Sequence, residues 1–454
     1  MSDMKEIVTH IENVLNHLPS APSDRILPRV PNHLRRVKKE AYEPEIISIG
    51  PYHRGKDHLA AMEEHKFRYL KLLLQRRDES SIAKYVEALN ELNKRAANSY
   101  EKGLLEERRP DDFLEIMLVD GCFIVELIRK GVVEKESSGD DDPIFRSEMT
   151  LFSLKHDLLL LENQLPFFIL QKLFDMTLLS NEESNLKQMI FRFFRILPGP
   201  GYSRGEEHNL SKVPARHLLG LMHDNWLPSP QGVKAYLNKT DQEKQKTKCV
   251  VCLSIDCGLI CRNETSKEDD AKTHIRCATE LHEAGIKFRR GEKCSVFDIK
   301  FANGVLEIPK LSIEDKTEYL LRNLIAYEQF WKDDICHVID YIKFIDCLIN
   351  SNKDVELLCR SGIIDNWLGD DEVVASVFNR LLDNVRLSHE RSFYSEIYVK
   401  VNKYCGREWN VWKAKLRHDY FNSPWALLSF LAAVFLLLLT VLQTVYSILS
   451  FYHS

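Results

Sequence analysis

Residues Asp157 to Phe168 read DLLLLENQLPFF. Four leucines run into a carboxylate and two amides, Glu162, Asn163 and Gln164, and then meet Pro166 and two phenylalanines. Leu158 to Leu161 covers every face of a helical turn, so this element is expected to be buried all round. Polar groups in such a place have two uses. Glu162 could be a buried reactive acid in a hydrolase or transferase of unrecognised type. Alternatively, the three side chains satisfy the backbone of a corner between two helices. The amides then offer donors and acceptors, and the carboxylate accepts from the free N–H groups of the next helix. Pro166 would fit the first turn of that helix. A catalytic carboxylate needs a nucleophile, a metal ligand or a second acid nearby, and the local sequence supplies none. Asp157, Glu162, Asn163, Gln164 and Pro166 are therefore read as a structural corner.

Other reactive types fare no better. Cys249, Cys252, Cys257 and Cys261 lie in CVVCLSIDCGLIC. Four thiolates can hold zinc tetrahedrally, and the first pair has Cys-x-x-Cys spacing. The loop between the pairs is short and the residues between are apolar, which suits free or palmitoylated thiols better than a zinc knuckle. SIGPYHRG carries Ser48, Tyr52 and His53, a conceivable nucleophile and base without the Gly-x-Ser-x-Gly elbow. Tyr52 and His53 beside a Gly-Pro turn are expected to pack and bond locally. The basic stretch HLRRVKKE, with Arg35, Arg36, Lys38 and Lys39, reads as a solvated face rather than a lipid contact. No phosphate loop, dinucleotide fingerprint, His-Glu-x-x-His or kinase signature occurs, so no cofactor or metal is expected.

The elements around these residues are mostly helical. Apolar periodicity predicts helices over 4–18, 57–77, 82–105, 111–130, 148–161, 165–178 and 184–194. Residues 26–55 read as extended with a turn at Gly50-Pro51, and 135–143 and 197–209 as polar or Pro/Gly-punctuated loops. A further helix ends near Gly285. Strands are expected at Ile286–Phe288, Val296–Phe301 and Val305–Ile308, the last two joined by an Asn303-Gly304 hairpin turn. Helices follow over 312–330, 335–349, 355–363 and 372–385, with a long one toward Arg417; Ser312 and Asp315 form a candidate N-cap pair. No fixed-period repeat appears.

From Tyr420 onward the chain has no Asp, Glu, Lys or Arg. Its apolar run, centred on Leu436, Leu437, Leu438 and Leu439, is long enough for a bilayer-spanning helix. Pro424 suits its first turn, and Trp425 and Tyr446 suit the interfacial positions. Lys413, Lys415, Arg417 and His418 precede the run and only His453 and Ser454 follow it. The positive-inside rule then puts the body in the cytosol, with a tail anchor in the plasma membrane or endoplasmic reticulum. The N-terminus lacks a secretory signal, and eleven cysteines is an odd number that suits free thiols. Under the opposite topology the sequons at Asn209, Asn238 and Asn263 would matter. A net charge of −5 over 454 residues gives no basic field for nucleic acid.

The succession ILPRVPNHLRRVKKEAYEPEIISIGPYHRG, DGCFIVELI, DLLLLENQLPFF, ATELHEAGIKF, GVLEIPKLSIEDKTEYLLRNLIAYEQ and the apolar tail resembles the plant family catalogued as domain of unknown function 247. The resemblance runs from about residue 26 to the tail. It implies a mostly helical fold with a C-terminal membrane helix and no established enzymatic activity to carry over. Some grass members are implicated in self-incompatibility, a pollen–stigma recognition system, and that role is said of those members.

The expected fold class is mainly α: a multi-helix globular body with a small antiparallel β-meander and one C-terminal transmembrane helix. The expected organisation is an amphipathic helix (1–25), a helical lobe (26–227), a flexible polar insert (228–273), a second lobe with the meander (274–418) and the anchor (424–450). The expected function is non-enzymatic: a membrane-anchored recognition or signalling module that meets the bilayer and another protein, with no oligomeric state set by the sequence.

Overall fold

A computed structural model describes residues 7–9, 11–13, 26–101, 110–133, 142–179, 184–195, 214–227, 274–291, 295–331, 336–387, 392–406 and 424–453. The helix expected over 4–18 lies mostly outside them, as do the cysteines at 249–261 and the sequons. In chain order the elements begin with α1 (Asn32–Arg35), α2 (Ala60–Arg76), α3 (Ala83–Asn98), α4 (Pro110–Val133) and α5 (Pro143–Arg146). Next come α6 (Glu148–Asp157), α7 (Phe167–Thr177), α8 (Leu186–Phe194), α9 (Leu218–Trp226) and α10 (Ala278–Glu283). Strands β1 (Lys287–Gly291), β2 (Lys300–Ala302), β3 (Val305–Pro309) and β4 (Leu311–Ile313) follow, then α11 (Thr317–Phe330), α12 (His337–Leu348) and α13 (Asn352–Arg360). Strand β5 (Ile364–Asn366) precedes α14 (Asp371–Leu381), α15 (Ser395–Cys405) and α16 (Pro424–His453).

The chain divides into two units. The first comprises residues 1–227, 316–333 and 383–386, so α11 belongs to it although it follows the strands in sequence. Its centre is α4, which packs against α2, α3, α7 and α8. That helix is apolar on nearly every face: Cys122, Phe123, Ile124, Val125 and Leu127 are all fully buried. Asp111 and Asp112 occupy its first turn, where carboxylates oppose the positive end of the helix dipole.

The second unit holds the strands and the remaining helices. Its three-stranded sheet is mixed and its two-stranded sheet parallel, which corrects the expected antiparallel meander. Strand β3 pairs antiparallel with β2 and parallel with β1, in the order β1-β3-β2, and β4 pairs parallel with β5. The Asn303-Gly304 turn does join β2 to β3, with φ of +52° and +76°. The error lies between β1 and β2. Val296, Phe297 and Ile299 are apolar and β-prone like a strand but are buried in a turn closed by Asp298 N–H to Ser295 O and Ile299 N–H to Phe297 O. Ser312 is likewise no helix cap; it lies in β4 opposite Asp365, and α11 starts after Lys316. The α13 start is capped reciprocally by Ser351 and Asp354, and Asp354 also accepts the Thr279 N–H at 2.8 Å, tying α10 to α13.

Helix α16 runs for 30 residues. Its Leu428–Tyr446 stretch is long and apolar enough to cross a membrane, and none of it is buried against the body.

Gly304 has no room for a side chain, because an added Cβ would lie 2.5 Å from the Tyr404 hydroxyl, and its φ is left-handed. Gly304→Ala is expected to lower stability by about 1–3 kcal/mol, read as a lower thermal midpoint of the full-length chain; an unchanged midpoint would contradict the turn geometry.

Candidate functional site

Two polar residues of DLLLLENQLPFF, Asp157 and Asn163, reach a distant segment, 41–50, that lies outside every strand and is mostly buried, with Glu45 at the surface. A buried peptide must bond every N–H and C=O somewhere. Here side chains do the work of a ladder. The Asp157 carboxylate, at the end of α6, accepts the N–H groups of Glu45 (3.0 Å), Ile46 (2.8 Å) and Ile47 (3.0 Å). Asn163 Oδ1 accepts the Ile49 N–H at 2.6 Å, and its Nδ2 donates to the carbonyls of Ile47 and Asp157. Asp120 of α4 accepts the Gly50 N–H at 2.9 Å. Lys66 of α2 donates to the Ser48 carbonyl, and Asn323 of α11 donates to that of Ala41. Burial pushes the Asp157 carboxyl up to about 7, against the pull of the Ile46 and Ile47 N–H groups.

Gln164 closes the corner from within. Its Nε2 donates to the carbonyls of Leu158 and Leu160, and its Oε1 accepts the Leu219 N–H at the start of α9. Its carbonyl receives the Tyr100 hydroxyl at 3.0 Å. Gly50 passes so close that an added Cβ would lie 2.7 Å from that carbonyl oxygen, with φ at +72°. Asn323 Oδ1 takes the Leu161 N–H at 2.9 Å.

Glu162 does not cap the next helix, as the sequence suggested. It accepts the Val30 N–H at 2.7 Å and pairs with Arg35 at 2.5 Å. Pro166 stands just before the first helical residue of α7, and the Phe167 N–H goes to the Arg216 carbonyl. The local geometry explains why: residues 27–35 and 214–216 supply partners that no nearby sequence reveals.

His53 Nε2 approaches Glu162 at 3.6 Å, and its Nδ1 lies 2.9 Å from Lys56 Nζ. Burial, then Lys56, lowers its pKa to about 3, so the imidazole is neutral. Glu162 and His53 are 5% and 3% exposed. The small cleft beside the corner, lined by Glu43, Glu45, His156, Asp157, Lys316 and Tyr319 among others, has room for about one water and includes neither of them. Ser48 Oγ donates to Glu63 rather than to His53, and the Tyr52 hydroxyl donates to the Leu27 carbonyl, 25 residues away. Of the basic stretch, Arg35 pairs with Glu43 and Glu162 and Lys38 with Glu318, while Arg36 and Lys39 are at the surface.

Beneath the segment, Lys66 and Asp120, both fully buried, form an ion pair at 2.6 Å. A second constellation, absent from the sequence reading, joins α9 to α11. His223 meets Glu328 at 2.8 Å and Asp224 at 3.1 Å. Burial alone would lower its pKa, but the bonds to Asp224 and Glu328 carry it up to about 9. The imidazolium is thus the partner of a buried carboxylate. His217 caps α9 by accepting the Gly220 N–H at Nδ1, and burial lowers its pKa to about 3. Tyr327 stands edge-on to both rings and accepts from Arg216, whose guanidinium stacks 3.7 Å over Trp331. A histidine cap and a nine-residue helix whose apolar run is broken at Gly220 leave little local signal. The one available sign was a Glu-bearing apolar stretch, IAYEQ, in α11.

These constellations bond backbone, bury ions and join elements. Among the described residues no group of three or more His, Cys, Asp or Glu is placed to hold a metal ion; Cys249, Cys252, Cys257 and Cys261 lie outside them.

A family model described as plant protein of unknown function matches residues 27–439, in agreement with the resemblance of the boxes. The UPF0481 protein At3g47200 of Arabidopsis thaliana is 33% identical over 433 residues, spanning 94% of this chain and 87% of its own. The putative UPF0481 protein At3g02645 of the same plant is 24% identical over 484 residues, spanning 91% and 88%. No solved structure matches the chain.

Asn163→Ala strands three buried backbone groups and is expected to cost about 3 kcal/mol or more. Asn163→Asp, which sets a carboxylate against two carbonyl oxygens, should cost more still; a denaturant titration showing Asp better tolerated than Ala would overturn the bonding scheme. For His223 the folded pKa lies above the unfolded value. Its stabilisation is therefore complete below pH about 6.5 and fades as pH rises toward 9. Stability measured across that window should fall for the native chain and stay flatter for His223→Gln.

Proposed function

The chain belongs to the plant family catalogued as domain of unknown function 247, and for this member we propose a membrane-anchored, non-enzymatic module for recognition or signalling that binds another protein. The observation that carries the reading is α16. Its nineteen-residue stretch Leu428–Tyr446 is mostly apolar and unburied, a face that hydrocarbon suits better than water. At 1.5 Å per residue this stretch is about 28 Å long, close to the roughly 30 Å hydrocarbon thickness. Leu436, Leu437, Leu438 and Leu439 would sit near the bilayer centre. The charges at 413–418 ahead of the helix favour a tail anchor with the body in the cytosol, at the plasma membrane or endoplasmic reticulum.

The polar groups of the corner support a body built for a stable surface rather than for turnover, since their bonding capacity is directed into the backbone. An enzyme reading keeps one observation, the 3.6 Å approach of His53 to Glu162. It would require both to open to substrate, and Arg35 already pairs with the carboxylate.

Full-length protein is expected in the membrane pellet after alkaline extraction. Leu437→Arg with Leu439→Arg, costing about 2.5–3.5 kcal/mol each at a helix centre, should shift it toward the soluble fraction. In intact microsomes an N-terminal tag should be digested by added protease; a protected tag would reverse the orientation. Proximity labelling against matched membrane controls should return reproducible protein partners, and an empty set would defeat the recognition reading.

A further inference from the structure

Outside α16, Met149 and Trp367 are the only large apolar side chains among the described residues that are more than two-thirds exposed, at 73% and 70%. Met149 is a single flexible chain. Trp367 is a large ring held out on a tied loop. Its backbone N–H donates to the Ile313 carbonyl at 2.9 Å, continuing the β4–β5 pairing. Asn366 Oδ1 accepts the Leu368 N–H at 2.9 Å, while its Nδ2 donates to Asp371 at 2.8 Å. Asp370 caps α14 by accepting the Glu372 N–H at 2.8 Å. A loop so pinned loses little conformational freedom when something lands on it, and a rigid tryptophan is the commonest kind of binding anchor.

The chain segment that carries the ring is acidic. Between Arg360 and Arg380 the chain has no lysine or arginine but carries Asp365, Asp370, Asp371 and Glu372. Lys310 neutralises only Asp365. Glu314 feels the same field: burial first, then Asp315 and Asp365, raise its pKa. Such a surface repels anionic lipid headgroups, and a second copy of the same loop would meet it with like charge. A cation suits both features, because an indole face is the best aromatic seat for an ammonium or guanidinium.

We propose that the Trp367 loop is a docking surface for a lysine- and arginine-rich segment of a partner protein, one cation lying on the indole face and its neighbours on Asp370, Asp371 and Glu372. This rests on the recognition reading above and adds the chemistry of the partner.

The test uses full-length protein in detergent micelles and two fluorescent peptides, one of alternating arginine and glycine, the other of alternating glutamate and glycine. Fluorescence anisotropy should show the arginine peptide binding and weakening as salt rises. Trp367→Ala should weaken it by about threefold to tenfold with an unchanged melting temperature, and Trp367→Phe should restore part of the loss. Glu372→Gln should weaken binding less and flatten its salt dependence. Equal binding by Trp367→Ala and the native chain, or by the glutamate peptide, overturns the proposal. Proximity labelling of native and Trp367→Ala chains in parallel separates the two levels. Loss of partners bearing basic segments supports this surface. An unchanged partner set overturns it and leaves the recognition reading standing, whereas an empty native set removes that reading and leaves the peptide result to decide the surface.

Discussion

A largely buried peptide outside any sheet is the constraint on which the first unit is arranged. Most of residues 41–50, Ile47 to Gly50 above all, is buried, and the amides and carbonyls there are shielded from water. Each unbonded group there would cost on the order of 1–3 kcal/mol. The fold resolves this by sending polar side chains inward from four helices and a corner: Asp157, Asn163, Asp120, Lys66 and Asn323. Each brings its own desolvation cost, offset only because it meets a backbone group in good geometry. The four leucines before the corner and the phenylalanines after it exclude water, and that exclusion gives these bonds their strength.

The same logic explains why buried charge in this unit is not by itself a sign of catalysis. Lys66 and Asp120 are fully buried, but the lysine bonds the Ser48 carbonyl and the aspartate bonds the Gly50 amide. Glu162 holds Val30 and Arg35. His223 and Glu328 join two helices. Removing one member of such a set leaves the other charge without compensation, so these positions tolerate change poorly whatever the protein does.

Much of the local structure was legible. The helical periods of α2, α4 and α8 and the Asn303-Gly304 turn are written in nearest-neighbour chemistry. The type of residue at Asn163 and Gln164 also announced a backbone-bonding role, since amides can give and accept at once. What could not be read was the other end of each bond. Nothing near Glu162 names Val30, and nothing near Ser312 names the β5 strand that draws it out of a helix. Parallel pairing of β1 with β3 has the same cause: it is a non-local choice, and the apolar, β-prone Val296, Phe297 and Ile299 imitate a strand. Helix α9 escaped because its cap is a histidine and its apolar run is broken at Gly220.

Helix α11 has a consequence for how the molecule is made. Its Asn323 bonds the Ala41 carbonyl across 282 residues and the Leu161 amide across 162. A ribosome that has released the first three hundred residues therefore holds an unfinished first unit, with the central peptide still missing bonds. Closing it late is slow in the way long-range contacts are slow, and it leaves apolar surface of the nascent chain uncovered until α11 emerges. Any fragment that stops at residue 227, however natural that boundary looks, would carry the same defect permanently.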